Sequence, residues 1–171
     1  MMFSKYRQAI LAVHERTSRL LLAVPIESKL ASGVANHLVR LFKAVPQTLR
    51  RTVTFDNGTE FARHYDLHPL NIGTYFCDPY SPWQKGGVEN AIGRMRRNIP
   101  RKTDLATITP THLANCVLAY NATPRKCLDW HTPAEIFAQH VLHFECESSS
   151  LRSQGRQRVS LSSSRPGRER H

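Results

Sequence analysis

The hydrophobic period of this chain changes along its length, and that change narrows the folds open to it more than any other feature. Ala9 to His14 and Leu20 to Val24 are apolar, β-compatible runs, and the polar Glu15-Arg16-Thr17-Ser18-Arg19 between them reads as a hairpin turn. Leu30, Val34, Leu38, Leu41, Phe42 and Val45 then recur at helical spacing, with Ser28 as a cap and Pro46 as a stop. Thr52 to Phe55 returns to a short β-branched strand ended by Asp56-Asn57-Gly58, so Asp56 stands at a strand's carboxyl end. A short helix is predicted over Thr59 to Tyr65 and another strand over Thr74 to Cys77. After an irregular loop from Pro79 to Gly87, Val88, Ile92, Met95 and Ile99 define the buried face of a helix that Pro100 terminates. Two later helices announce their starts, at Thr109-Pro110 and at the capping box Thr132-Pro133-Ala134-Glu135. This order predicts an α/β fold, a mixed sheet covered by helices.

With 171 residues, 40% of them hydrophobic, the chain can bury one ordinary core and has no room for a second domain of similar size. Residues 1–146 are predicted as that domain. After Cys146 the composition shifts to Ser and Arg, and residues 147–171 are expected to be a disordered tail. The tail holds six Arg against two Glu, so most of the net charge of +11 belongs to the rest of the chain. A field of that sign favours a polyanionic partner, DNA or RNA. Cys77, Cys116, Cys127 and Cys146 lie far apart with no C-x-x-C pair, which argues against a zinc ribbon or a disulfide framework. No run is long and apolar enough to cross a bilayer, and Met1 to Gln8 lacks a secretory apolar run, so a cytoplasmic location is expected, without membrane contact.

Moving a phosphoryl group of DNA needs charge neutralisation on the attacking and leaving oxygens, which two Mg²⁺ ions about 3.5–4 Å apart supply. A few carboxylates converging from different elements suffice to hold them. Asp56 and Glu89, 33 positions apart, form such a pair if the helix of Glu89 packs beside the strand of Asp56. Taken singly, each has a plainer explanation. Asp56 suits an Asx turn, and Glu89 in a first helical turn gains a few tenths to ~1 kcal/mol from the helix dipole.

The surrounding residues change that balance. Thr54-Phe55-Asp56-Asn57-Gly58-Thr59-Glu60-Phe61 and Pro79-Tyr80-Ser81-Pro82-Trp83-Gln84-Lys85-Gly86-Gly87-Val88-Glu89-Asn90 resemble the second and third acidic motifs of bacterial integrase-type transposases with an Asp-Asp-Glu triad. The resemblance is closest to the insertion-sequence-thirty family. Tyr120-Asn121-Ala122-Thr123-Pro124-Arg125 and Thr132-Pro133-Ala134-Glu135 fit the same pattern, and the likeness runs from about Ala9 to Phe137. It implies a ribonuclease-H-like fold, with Asp56 and Glu89 as catalytic metal ligands in a two-metal site for Mg²⁺ or Mn²⁺. It also implies DNA cleavage and strand transfer by 3′-hydroxyl attack, with insertion-sequence ends and target DNA as partners. Pairing of two ends makes a homo-oligomer plausible for relatives.

Arg94, Arg96, Arg97 and Arg101 lie on or just after the Glu89 helix, where with Lys85 they are candidates to grip DNA phosphates; a solvated helix face is the plainer reading of any one of them. Trp83 either stacks on a base or anchors its loop to the core, and the anchor is preferred. Gly58, Gly86 and Gly87 suit a turn, a close backbone approach and a helix start, while Asn57 and Asn90 are candidates to support the carboxylates. His64 and His68 share a helical face but lack partners for a zinc site, so they are read as structural.

The sequence departs from the family in two respects. The triad needs an aspartate on the strand before the hairpin, yet no Asp or Glu precedes Glu15, and Glu15 falls at the hairpin turn. The first strand is therefore expected to be incomplete, as if the chain began inside it, and little or no transposase activity is expected. The Ser/Arg tail also does not resemble the family's ending and suggests a frameshift. The competing readings are a non-catalytic nucleic-acid-binding remnant and an unrelated nuclease that hydrolyses without joining.

Overall fold

The computed structural model describes residues 2–3 and 8–143. The predicted disordered tail lies outside the described residues. β1 (Met2–Phe3), β2 (Ala9–His14) and β3 (Leu21–Ile26) form an antiparallel ladder in sequence order, with Ala9 opposite Ile26 and His14 opposite Leu21. The turn between β2 and β3 is the predicted polar one. Glu15 folds over it, its carboxylate accepting hydrogen bonds from the Thr17 and Ser18 amides and the Ser18 hydroxyl.

Because side chains alternate across a strand, this hairpin has two faces, and both are covered. Ile10 and Leu21 belong to one buried cluster with Ala91, Ile92, Met95, Ile99, Leu113 and Tyr120, on α2 (Gly86–Met95) and α3 (Pro110–Asn121) or just past α2. Ala9, Leu11 and Ile26 face the other way, into a cluster with Val34, Leu38 and Phe42 of α1 (Ala31–Lys43), and with Phe55, Phe61, Leu67 and Ile72. Leu21 and Val34 are completely buried. Each such side chain contributes about 1.5–3 kcal/mol by leaving water.

α1 begins later than its expected cap. Ser28 Oγ accepts the Leu30 amide at 3.2 Å, while Leu30 itself takes the cap position in an extended conformation. β4 (Thr52–Phe55) and β5 (Gly73–Phe76) pair in parallel, Thr52 opposite Gly73 and Phe55 opposite Phe76. The short helix predicted over Thr59 to Tyr65 falls in the connection between them, in 3₁₀ form and in two pieces, Thr59–Phe61 and His64–Leu70. Pro69 supplies no amide for a helical ladder, and Asn71 closes the segment at φ 58°. His64 and His68 both reach the Thr74 hydroxyl, at 2.8 and 3.0 Å, which ties this crossover to β5.

The antiparallel and parallel pairings expected of a mixed sheet are thus both present. Among the described residues they run as two ladders, β1-β2-β3 and β4-β5. A last helix, α4, spans 133–143 and starts with the predicted capping box. Thr132 Oγ1 accepts the Glu135 amide at 3.2 Å, and the Glu135 carboxylate accepts the Thr132 amide at 2.8 Å. Those bonds, the one to the Thr132 amide foremost, hold the Glu135 pKa below its ordinary value. Among the described residues, no helix is long and apolar enough to cross a membrane. Cys77 and Cys116 are buried free thiols and Cys127 an exposed one, as isolated cysteines should be.

Candidate active site

Asp56 directly follows β4, and the chain on each side of it is pinned to the end of β5. The Cys77 amide donates to the Phe55 carbonyl at 2.8 Å, and Asn57 Nδ2 donates to the Cys77 carbonyl at 2.9 Å. Asp56 itself is half-buried, and its Oδ1 is buried without any hydrogen-bond partner. A buried polar atom left this way is costly unless something else meets it. At Gly58 the end of the flexible Glu60 side chain folds back to where a Cβ would stand.

From Cys77 the chain leads directly to the start of α2. Gln84 clasps Asp78 twice, its Oε1 accepting the Asp78 amide at 2.9 Å and its Nε2 donating to Asp78 Oδ2 at 2.8 Å. The loop so closed presents Tyr80, 99% exposed, and Trp83, 75% exposed. Trp83 therefore does not anchor the loop to the core, since its ring is largely in solvent while the Asp78–Gln84 clasp closes the loop on itself. A 3₁₀ turn over Pro82–Lys85 runs straight into α2, with Lys85 at the cap position and Glu89, exposed, in the first turn.

The basic residues follow the helix. Arg94 is on α2, Arg96 is its C-cap, and Arg97 and Arg101 come in the turns beyond. Arg94, Arg97 and Arg101 are exposed, and Arg96 is partly buried. Asn90 Oδ1 accepts from Arg94 Nε at 3.4 Å, so the partner of Asn90 is an arginine, not a carboxylate. Gly86 opens the helix with free space around it. At Gly87 a Cβ would come within 3.3 Å of the His14 ring and 3.8 Å of Arg19 Nη1. The close approach made possible by glycine is thus between α2 and the hairpin. Among the described residues no group of three His, Cys, Asp or Glu side chains converges as a metal centre.

Three residues that sequence reasoning passed over hold this region together. Asn121 pairs with the Leu21 backbone, while Arg125 packs its guanidinium 4.4 Å from the Tyr120 ring centre. Arg19 stands at the hairpin turn with φ 62°. The only signal for the first two was their place in the Tyr120 to Arg125 motif.

No family model matches the chain. Curated relatives do. It is 36% identical over 134 residues to the transposase for insertion sequence element IS1086 of Cupriavidus metallidurans. It is 38% identical over 128 residues to transposase InsI for insertion sequence element IS30A of Escherichia coli, and 35% identical over 137 residues to the transposase for IS4351 of Bacteroides fragilis. The chain is homologous to IS30-family transposases. The matches cover 78%, 74% and 80% of the chain but only 40%, 33% and 42% of these transposases, so the chain spans well under half of their length. The crystal structure of the catalytic core domain of BIV integrase superposes with a TM-score of 0.63 over 82% of this chain and 93% of that one, at 24% identity. That likeness establishes the fold, which is ribonuclease-H-like as the transposase resemblance implied.

Proposed function

We propose that this chain is a transposase catalytic core that cleaves and joins DNA, with residues 1–146 as the core domain and Asp56 and Glu89 as the ligands of Mg²⁺ or Mn²⁺. The observation that carries this reading is Asp56 Oδ1, buried at the end of a parallel strand with no donor to meet it. A hard divalent cation takes oxygen ligands of this kind, so the carboxylate suits one. When bound, such a cation neutralises charge on the attacking and leaving oxygens of the phosphodiester.

The chain's own groups do the rest. Lys85, Arg94, Arg96, Arg97 and Arg101 bind DNA phosphates along α2 and beyond it, and Trp83 offers an exposed ring on which a base stacks. Asn57 holds the Asp56 turn against β5. Asn90 steadies Arg94. Transposition substrates are the element's ends and target DNA, and pairing of two ends calls for a homo-oligomer.

With two carboxylates rather than three, joining is expected to be weak. The test is a strand-transfer assay with a 3′-hydroxyl DNA end, a target duplex and Mn²⁺ or Mg²⁺, comparing the chain with Asp56→Asn and Glu89→Gln. Weak, metal-dependent joined product that vanishes in both variants supports the proposal. Cleaved but unjoined product would make the chain a simple nuclease. The second reading is a non-catalytic DNA-binding protein, favoured by the exposed Arg94, Arg97 and Arg101 on and beyond α2. DNA binding without any metal-dependent product, in all three proteins alike, would establish it.

A further inference from the structure

A second group of cations gathers on the side of the hairpin that faces α2 and α3. His14 ends β2, and its ring lies against Gly87 beside the guanidinium of Arg19. Arg125 arrives from the segment after α3, its Nη2 donating to the Tyr120 carbonyl at 3.0 Å and its guanidinium lying over the Tyr120 ring. Burial raises the Tyr120 pKa, while the charges of Arg125, Arg94 and Arg19 all act to lower it. Arg94 lies seven positions beyond Gly87 on α2 and so on the same helical face, the one that Arg19 meets at Gly87, and its charge, like those of Arg19 and Arg125, acts on Tyr120.

An anion is what this group lacks. Arg125 is only 7% exposed, and its Nε is buried with no acceptor. Burial lowers its pKa, Tyr120 partly restores it, and Arg94 lowers it again, with no carboxylate among the groups acting on it. Glu15 acts on His14, but its oxygens already accept from Thr17 and Ser18. A buried guanidinium normally has a carboxylate beside it, and its planar fork fits a phosphate equally well.

We propose that Arg19, Arg94 and Arg125 seat one backbone phosphate of DNA on the hairpin side of α2. The seat deepens the reading of the chain as a DNA-binding core and rests on it. Gly87 and Glu89 are two positions apart on α2 and so point to different faces. The seat at Gly87 and the carboxylate at Glu89 are thus distinct stations on one helical turn.

The test is binding of a short labelled duplex by fluorescence anisotropy over a KCl series without divalent cation. Arg19→Asn is used because Asn tolerates the left-handed backbone of that position, together with Arg94→Gln. Each is expected to weaken binding several-fold and to flatten the plot of log affinity against log salt by at most about 0.9, the value of the one shared phosphate contact. Arg16→Gln, an exposed neighbour on the same turn, is the control and should leave the slope unchanged. Slopes equal to the parent's, or the same change in the control, would overturn the seat. For Arg125→Lys the readout is the DNA-induced rise in melting temperature, each protein compared with itself alone. A smaller rise than the parent's supports the seat, and an equal rise removes Arg125 from it. If the arginine variants flatten the slope while no metal-dependent chemistry is ever found, the seat stands and the catalytic reading fails; chemistry with unresponsive slopes means the reverse.

Discussion

Asn121 holds both peptide groups of Leu21, its Oδ1 accepting the Leu21 amide at 2.9 Å and its Nδ2 donating to the Leu21 carbonyl at 2.8 Å. The Glu15 amide bonds to the Leu20 carbonyl, so alternation along the ladder turns the groups of Leu21 away from β2. A side-chain amide from the end of α3 thereby takes the place of a neighbouring strand on the outer edge of β3. Asn121→Ala leaves two buried backbone groups unpaired, at about 1–3 kcal/mol each. The expected loss is roughly 2–4 kcal/mol by urea denaturation. A loss below ~0.5 kcal/mol would mean that water replaces the amide without cost.

Cation binding should be visible as stability, independently of turnover. A ligand at a hundred times its Kd stabilises the fold by about 2.7 kcal/mol. Mn²⁺ or Mg²⁺ titrated into the chain is expected to raise the melting temperature, and Asp56→Ala to abolish the rise. An equal rise in the variant would place the cation elsewhere.

The Glu15 turn predicts an acid-sensitive hairpin. Burial pushes the Glu15 pKa up, but the hydrogen bonds from Ser18 and Thr17 together outweigh it and hold the pKa below 4.5. A carboxylate depressed in the folded state contributes stability above its unfolded pKa and loses it as pH falls through the folded one. His14, lowered from 6.5 by burial and then by Arg19, adds a loss of the same sign that begins at higher pH. Unfolding free energy measured from neutral pH downward should fall more steeply below pH 4.5 for the parent than for Glu15→Gln. Parallel curves would count against the turn's contribution.

Gly86 and Gly87 are adjacent but should respond differently. A Cβ at Gly86 meets nothing, so Gly86→Ala gains from helix propensity, up to about 1 kcal/mol. At Gly87 the same methyl presses on the His14 ring, so Gly87→Ala should gain less or destabilise. Thermal melts of the two variants decide, and identical shifts would show that His14 yields freely.

Trp83→Ala should leave stability within ~0.5 kcal/mol of the parent, because the ring is exposed. Its affinity for single-stranded DNA should drop by about 1–3 kcal/mol if a base stacks there. Unchanged affinity in an anisotropy titration would leave Trp83 without a part in binding.

What the sequence shows plainly is what depends on local periodicity and capping. The hairpin, the Thr52–Phe55 strand, the Thr109 cap and the Thr132–Glu135 box each rest on neighbours a few positions away, and each forms where expected. The short helix expected over Thr59 to Tyr65 forms as two 3₁₀ segments, the second running on to Leu70, since so short a stretch does not separate a 3₁₀ period from an α-helical one. Asp56 and Glu89 were legible as a pair only through the motifs around them. The orphaned Asp56 oxygen, the Gly87–His14 contact and the Asn121 grip on Leu21 all depend on partners distant in sequence, up to 100 positions in the last case. No local pattern carries that information.

The clasp between Asp78 and Gln84 also bears on the entropy of the proposed DNA binding. A free loop carrying Tyr80 and Trp83 would lose backbone freedom at the moment a strand arrived, and that loss would be subtracted from the affinity. Here the loop ends are already joined by two hydrogen bonds before any partner is present. In the proposed reading, the aromatic rings would meet an incoming strand on an arm already partly preorganised, with part of the ordering cost met during folding.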